Sequence, residues 1–158
     1  MADEFVIKNG IVAKINPSTI EEYGFTGEVL SSQTAGTSIA VGQVCYLRTN
    51  GKWFTANSSQ VATGDGILGI ALNAASLDEG VDIFIRGVIG TNNSILTSVS
   101  SGTGQPIYLA TSAGTMSTTA PSSENNIVRI LGHYLRLVSG QTTKYVISFN
   151  PDGIWLEL

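Results

Sequence analysis

The sequence predicts an all-β domain: a β-sandwich or partly open β-barrel built from two similar β-hairpin units, with an N-terminal hairpin arm and at most one short helix. Three observations predict it. Ser, Thr and Gly number 17, 16 and 18 among 158 residues, so about a third of the chain is small, turn-tolerant or β-compatible. Asn-Gly pairs lie between apolar or alternating runs, which is the strongest short-range hairpin signal. One hairpin phrase also occurs twice, the mark of a duplicated unit. A chain of this length buries roughly two-thirds of its unfolded surface, enough for a core without a disulfide or metal staple.

Taken in order, Asn9-Gly10 joins Phe5-Val6-Ile7-Lys8 to Ile11-Val12-Ala13-Lys14-Ile15 as a first hairpin. Asn16-Pro17-Ser18-Thr19-Ile20-Glu21-Glu22 carries capping-box spacing between Ser18 and Glu21, and Gly24 closes one or two helical turns. Residues 31–38 are polar and read as a loop. Asn50-Gly51 joins the strand Val44–Thr49 to Lys52–Ala56 through a type I′ turn, with aromatic residues in both arms. Further strands are predicted at 69–72, 81–86, 106–110 and 127–138, the last with Gly132 as a bulge or bend. Residues 70–79 offer a weaker, helical alternative that stops at Gly80. The Ser/Thr-rich stretches 91–103 and 111–126 read as loops. Pro151-Asp152-Gly153 separates two β-prone arms, 145–149 and 154–158, as a final hairpin turn.

The repetition organises these elements. Gly42-Gln43-Val44-Cys45-Tyr46-Leu47-Arg48-Thr49-Asn50-Gly51 aligns with Gly104-Gln105-Pro106-Ile107-Tyr108-Leu109-Ala110-Thr111-Ser112-Ala113-Gly114, with one extra residue in the second turn. Leu68-Gly69-x-x-Leu72 then meets Leu131-Gly132-x-x-Leu135, and a β run follows each. The expected division is an arm over residues 1–30 and a β-domain over 31–158 whose halves span 42–87 and 104–150. Each half is too small to bury its apolar face alone, so the two are expected to close on one another.

Charge and cysteine content remove several function classes. Eight Lys and Arg face twelve Asp and Glu, a formal net charge of −4, with no basic stripe to neutralise phosphates; neither nucleic acid nor an anionic membrane is an expected partner. Cys45 is the single cysteine, so an internal disulfide and a Cys-based metal cluster are excluded. No apolar run approaches the ~18 residues of a spanning helix. The acidic start Met1-Ala2-Asp3-Glu4 is unlike a signal peptide, and synthesis in a cytoplasm without secretion is expected.

The motifs that carry chemistry elsewhere lack their context here. Gly64-Asp65-Gly66-Ile67-Leu68-Gly69 spells G-x-G-x-x-G, but that motif needs a buried strand before it and a helix after it to present N–H groups to a pyrophosphate. A polar segment precedes it, the repeat places Leu68-Gly69 at a strand start, and a glycine-rich loop is the better reading. His133 has no second histidine and reads as a half-buried strand residue; Cys45 reads as a small apolar side chain without a basic partner. Asp78, Glu79 and Asp82 lack the spacing of a calcium loop and read as solvated acids. Trp53, Phe54, Tyr108 and Trp155 could form a glycan platform, but on strands they read as core or cross-strand pairs. No catalytic residue, metal ligand or cofactor is expected, and the chain is not read as an enzyme.

Several phrases resemble tailed-bacteriophage virion proteins: Phe5-Val6-Ile7-Lys8-Asn9-Gly10, Gly42–Leu47 with Gly51-Lys52-Trp53 and Ala56, Leu68-Gly69-Ile70-Ala71-Leu72, 81–87, 104–109 and Phe149-Asn150-Pro151-Asp152. They are similar to the "G-x-x-Y-L … G-x-W … A … L-G-I-A" pattern of head-decoration (cement) proteins and of head- or tail-fibre domains. Gly132-His133-Tyr134-Leu135 and Pro106 depart from that pattern in the second copy. The resemblance implies a non-enzymatic all-β homotrimer on the virion surface, made in the host cytoplasm. Its implied role is a decoration protein that binds the major capsid protein on the outside of the head and stabilises it. The alternative is a fibre domain that binds a host-surface glycan or receptor through loops 91–103 and 111–126. For the decoration role, Phe5, Ile7, Ile11, Val12, Ile15 and Ile20 are the expected partner contacts, because a two-stranded apolar ribbon is marginal alone. Pairing of that hairpin with the domain's own sheet is the competing expectation.

Overall fold

A computed structural model of the chain describes residues 16–99, 102–137 and 142–158. Among these residues twelve strands run in order: β1 (Phe25–Ala35), β2 (Val44–Leu47), β3 (Lys52–Thr55), β4 (Leu68–Ala71), β5 (Gly80–Asn92), β6 (Leu96–Thr97), β7 (Pro106–Leu109), β8 (Met116–Ser117), β9 (Ile127–Val128), β10 (Ile130–Leu137), β11 (Lys144–Phe149) and β12 (Leu156–Glu157). Two three-residue 3₁₀ turns, Pro17–Thr19 and Val61–Thr63, are the helical elements among the described residues. The fold is all-β, as the composition and hairpin signals predict. The first hairpin, Phe5 to Ile15, lies outside the described residues.

Ten strands form one sheet in the order β1-β3-β2-β4-β5-β11-β10-β7-β8-β6, and β1 also pairs with β5. That extra pairing closes β1, β3, β2, β4 and β5 into a five-stranded ring, while the second half remains open at β6: a partly open barrel. The same pairing scheme occurs in both halves. β2 pairs antiparallel with β3 and β4, and β1 runs parallel to β3; β7 pairs antiparallel with β8 and β10, and β6 runs parallel to β8. Registers match as well, with Gly69 opposite Cys45 and Gly132 opposite Ile107. Left-handed glycines recur in equivalent turns, Gly42 and Gly104 at φ 84° and 88°, Gly51 and Gly114 at φ 77° and 75°.

Burial follows the pleat. Cys45, Trp53, Ala71, Val81 and Ile83 face one way and pack with Ala35, Ile39 and Ala75 in a core drawn wholly from the first half. Their strand neighbours Val44, Tyr46, Ile70 and Phe84 face the other way and join Ile107, Leu109, Leu131, Ile147 and Phe149 in the larger core between the halves. Backbone bonds tie that seam: Val44 N–H donates to Gly114 O, and Gly114 N–H to Ala56 O.

Four local expectations are corrected. Residues 31–35, expected as loop, belong to the eleven-residue β1; its side chains are mostly exposed, so it carries no apolar alternation, and its pairing with β5 and β3 holds it in place. The boundary drawn at residue 30 therefore falls inside a strand. The Asn50-Gly51 turn has three loop residues rather than two: Arg48 N–H donates to Lys52 O and only Gly51 is left-handed, while Asn50 Oδ1 accepts from Lys52 N–H at 3.1 Å. Residues 70–79 form no helix, since Ile70 and Ala71 are locked between β2 and β5. β11 and β12 do not pair as a hairpin. Both edges of β11 are taken, by β10 and β5, so the chain crosses to β9 instead.

Candidate functional site

The Pro151-Asp152-Gly153 turn makes that crossing around one side chain. Arg129 interrupts an otherwise apolar run between β9 and β10 and is only 5% exposed. Its Nη1 donates to Gly64 O at 2.5 Å and Gly66 O at 2.6 Å, and its Nε donates to Asp152 O at 2.9 Å. One buried cation thus ties the 64–66 loop to the 151–153 turn. Burial pulls its guanidinium below its ordinary pKa, and the Asp65 and Asp152 carboxylates pull the other way. This also settles the glycine motif: the loop presents carbonyls inward to a cation rather than N–H groups to a phosphate, and its last glycine lies in β4.

Beyond the clamp, β12 lies along β9, with Leu156 opposite Val128 and Glu157 opposite Ile127. Trp155 turns toward the large core, whereas Ile154, Leu156 and Leu158 are 85%, 61% and 42% exposed. Leu156 lies in β12, and Ile154 and Leu158 flank it two residues to either side. Ile67, 57% exposed, stands on the loop that Arg129 holds. The outer edge of β12 has no strand partner among the described residues.

A second surface lies at the open end of the sheet. Thr97, Ser117, Thr111, Thr115, Ser122 and Asn126 are among the residues lining a groove of about 540 Å³, whose walls also hold Ser94, Ser98, Ser112, Thr119 and Ser123. Part of the lining is committed internally: Thr97 Oγ1 donates to Met116 O, Thr115 Oγ1 to Ser112 O, and Ser117 Oγ accepts from Thr119 N–H. Asn126 is 8% exposed, and its backbone carbonyl accepts from Leu158 N–H.

The remaining candidates are dispersed. Cys45 is buried, and burial pushes its thiol up to about 12. His133 is exposed, not half-buried, because it points away from both cores at the Gly132 bulge. Asp78 pairs with Lys52 at 2.5 Å, Glu79 Oε2 accepts from Ser76 N–H, and Asp82 Oδ1 accepts from Ser32 N–H. No group of three or more His, Cys, Asp or Glu that could hold a metal occurs among the described residues. Trp53 is fully buried with Nε1 on Gln33 Oε1, Phe54 packs with Tyr46 and under Arg48, Tyr108 sits in β7 opposite Ile130 and Ser117, and Trp155 packs on the core, so these four make no shared platform. Of the expected partner contacts, Phe5, Ile7, Ile11, Val12 and Ile15 lie outside the described residues, and Ile20 is half-buried.

Neither Arg129 nor β12 was readable as a site from the sequence. The one local signal was a charge set inside Ile127-Val128-Arg129-Ile130-Leu131. The chain matches no protein-family model and no curated protein.

Proposed function

We propose that the protein is a capsid decoration protein of a tailed bacteriophage, a non-enzymatic homotrimer that binds the major capsid protein on the outside of the head and stabilises it. The observation that carries the reading is the run of exposed apolar side chains along β12 and its flanks, Ile154, Leu156 and Leu158, on a strand whose outer edge has no strand partner among the described residues. Apolar side chains grouped on a fixed edge favour burial against a protein surface, and a free edge invites strand addition. The all-β framework and the decoration-like phrases of the sequence support the same reading. The segment before residue 16, with Phe5, Ile7, Ile11, Val12 and Ile15, adds a second apolar contact in this proposal.

Binding to purified heads lacking the protein tests it. An Ile154→Asp/Leu156→Asp double variant is expected to lose head binding while keeping its melting temperature. Deletion of residues 1–15, which spares all of β1, is expected to weaken binding without unfolding the chain. Wild-type affinity in both variants would overturn the proposal.

A further inference from the structure

We propose that Lys144 and Asn92 join in an intramolecular isopeptide bond, with Glu22 as the proton relay. This inference is independent of the capsid reading, since it concerns β5 and β11, the strand pair that joins the two halves of the sheet.

Register sets the two reactants opposite one another. Lys144 opens β11, Asn92 ends β5, and the two are Cα partners in an antiparallel pair. Directly opposite residues stand on the same face, with Cβ atoms roughly 4.5 to 5.5 Å apart. Glu22 arrives from the turn before β1. Tyr23 N–H donates to Gly90 O and Gly90 N–H to Gly24 O, which lays that turn across β5, and a Cβ at position 90 would overlap Glu21 O. Glycine at position 90 is therefore what lets Glu22 reach Asn92.

Each reacting group has its partner. Lys144 Nζ lies 2.9 Å from Glu22 Oε2. Asn92 Nδ2 donates to Glu22 Oε1 at 2.7 Å and to the Tyr23 hydroxyl at 2.8 Å. One carboxylate thus touches both the nitrogen that attacks and the nitrogen that leaves. Asn92 Oδ1 accepts from Ser94 N–H at 2.9 Å and from Ile95 N–H at 3.2 Å. These are fixed backbone donors at the atom where negative charge develops when an amide carbonyl is attacked.

The step balances without a cofactor. Glu22 takes a proton from the Lys144 ammonium, and the freed Nζ lone pair attacks Asn92 Cγ. The Nζ–Cγ bond forms as the carbonyl pair moves onto Oδ1. A second proton passes from Nζ through Glu22, the Oδ1 pair returns, the Cγ–Nδ2 bond breaks, and Nδ2, having received both protons, departs as ammonium. Glu22 ends as the carboxylate it began as. Placement on paired strands supplies the effective concentration that an unactivated amide requires. Glu22 keeps an N–H donor in either form, the Asn92 amide before closure and the isopeptide nitrogen after it.

Intact-mass spectrometry of the purified full chain, with tandem sequencing of its tryptic digest, tests the proposal. The wild type is expected to weigh about 17 Da less than its sequence, the mass of one ammonia lost to the attacking amine. Its digest is expected to contain a branched peptide in which the Lys144 side chain carries Asn92. Lys144→Arg keeps the positive charge without an amine nucleophile, and Glu22→Gln keeps the shape without the relay. Both are expected at their full sequence masses. A wild type at full mass, a mass loss that persists in Lys144→Arg, as succinimide formation at an asparagine would give, or undiminished closure in Glu22→Gln would each overturn the proposal.

Discussion

Replacing Arg129 with Met isolates what the clamp contributes. The side chain keeps its apolar stem and loses three hydrogen bonds, to Gly64 O, Gly66 O and Asp152 O. At about 1.5 kcal/mol each, the low end for bonds from a charged donor, the bonds total roughly 4.5 kcal/mol. Against that, Met no longer has to hold a charge away from water, a relief that reduces the loss. We expect a net destabilisation of about 2 to 3 kcal/mol, or roughly 5 to 10 °C in melting temperature for a chain of this size. Urea denaturation measures the total, and amide exchange locates it. Protection of Leu158 N–H, bonded to Asn126 O, and of Ile127 N–H, bonded to Ser58 O, should fall first, while the β2–β3 hairpin stays protected. Arg129→Lys should not rescue, because an ammonium cannot span three carbonyls with the geometry of a guanidinium. A loss under about 0.5 kcal/mol, the size of an ordinary surface change, would refute the clamp.

Three further outcomes follow from single positions. Cys45, with its thiol pushed up to about 12 by burial, should resist a thiol reagent in the native state and react only as the chain unfolds; rapid native labelling would contradict its placement. Gly132→Ala would set a Cβ 1.8 Å from Ser148 O at a backbone φ of 147°, so a loss of about 3 kcal/mol or more is expected in urea denaturation, whereas Gly153→Ala, which meets nothing within 4 Å, should be neutral. The Asn92 amide and the Lys144 ammonium, 2.7 and 2.9 Å from Glu22, hold its carboxyl below the usual range. The folded state therefore binds that proton less readily than the unfolded one: the stabilisation is complete above the unfolded value and is lost as pH falls through the folded one. Glu22→Gln should accordingly show a shallower loss of stability than the wild type between about pH 5 and pH 3.

What the sequence revealed and what it concealed have the same physical origin. The β2–β3 hairpin was legible because its aromatic and aliphatic residues alternate across a buried pleat. β1 was not, because its side chains are exposed and its place comes from backbone pairing with β5 and β3, which leaves no mark in polarity. The expected hairpin turn at Pro151-Asp152-Gly153 is a bend at Gly153 instead, and its direction is decided by remote events: β5 and β10 occupy both edges of β11, and Arg129 holds Asp152 O. The Gly64–Gly69 motif shows the same limit, since its carbonyls face a guanidinium 65 positions away in the chain. Ser/Thr density at 91–103 and 111–126 was visible, while the convergence of those loops on one uncharged groove depends on the parallel β6–β8 pair.

The most direct measurement of the central claim is the amount of this protein in purified virions, by quantitative mass spectrometry against the major capsid protein. A decoration role predicts a fixed, high ratio to the major capsid protein and release of the protein before the shell itself dissociates. A few copies per particle, or its absence from intact virions, would contradict that role.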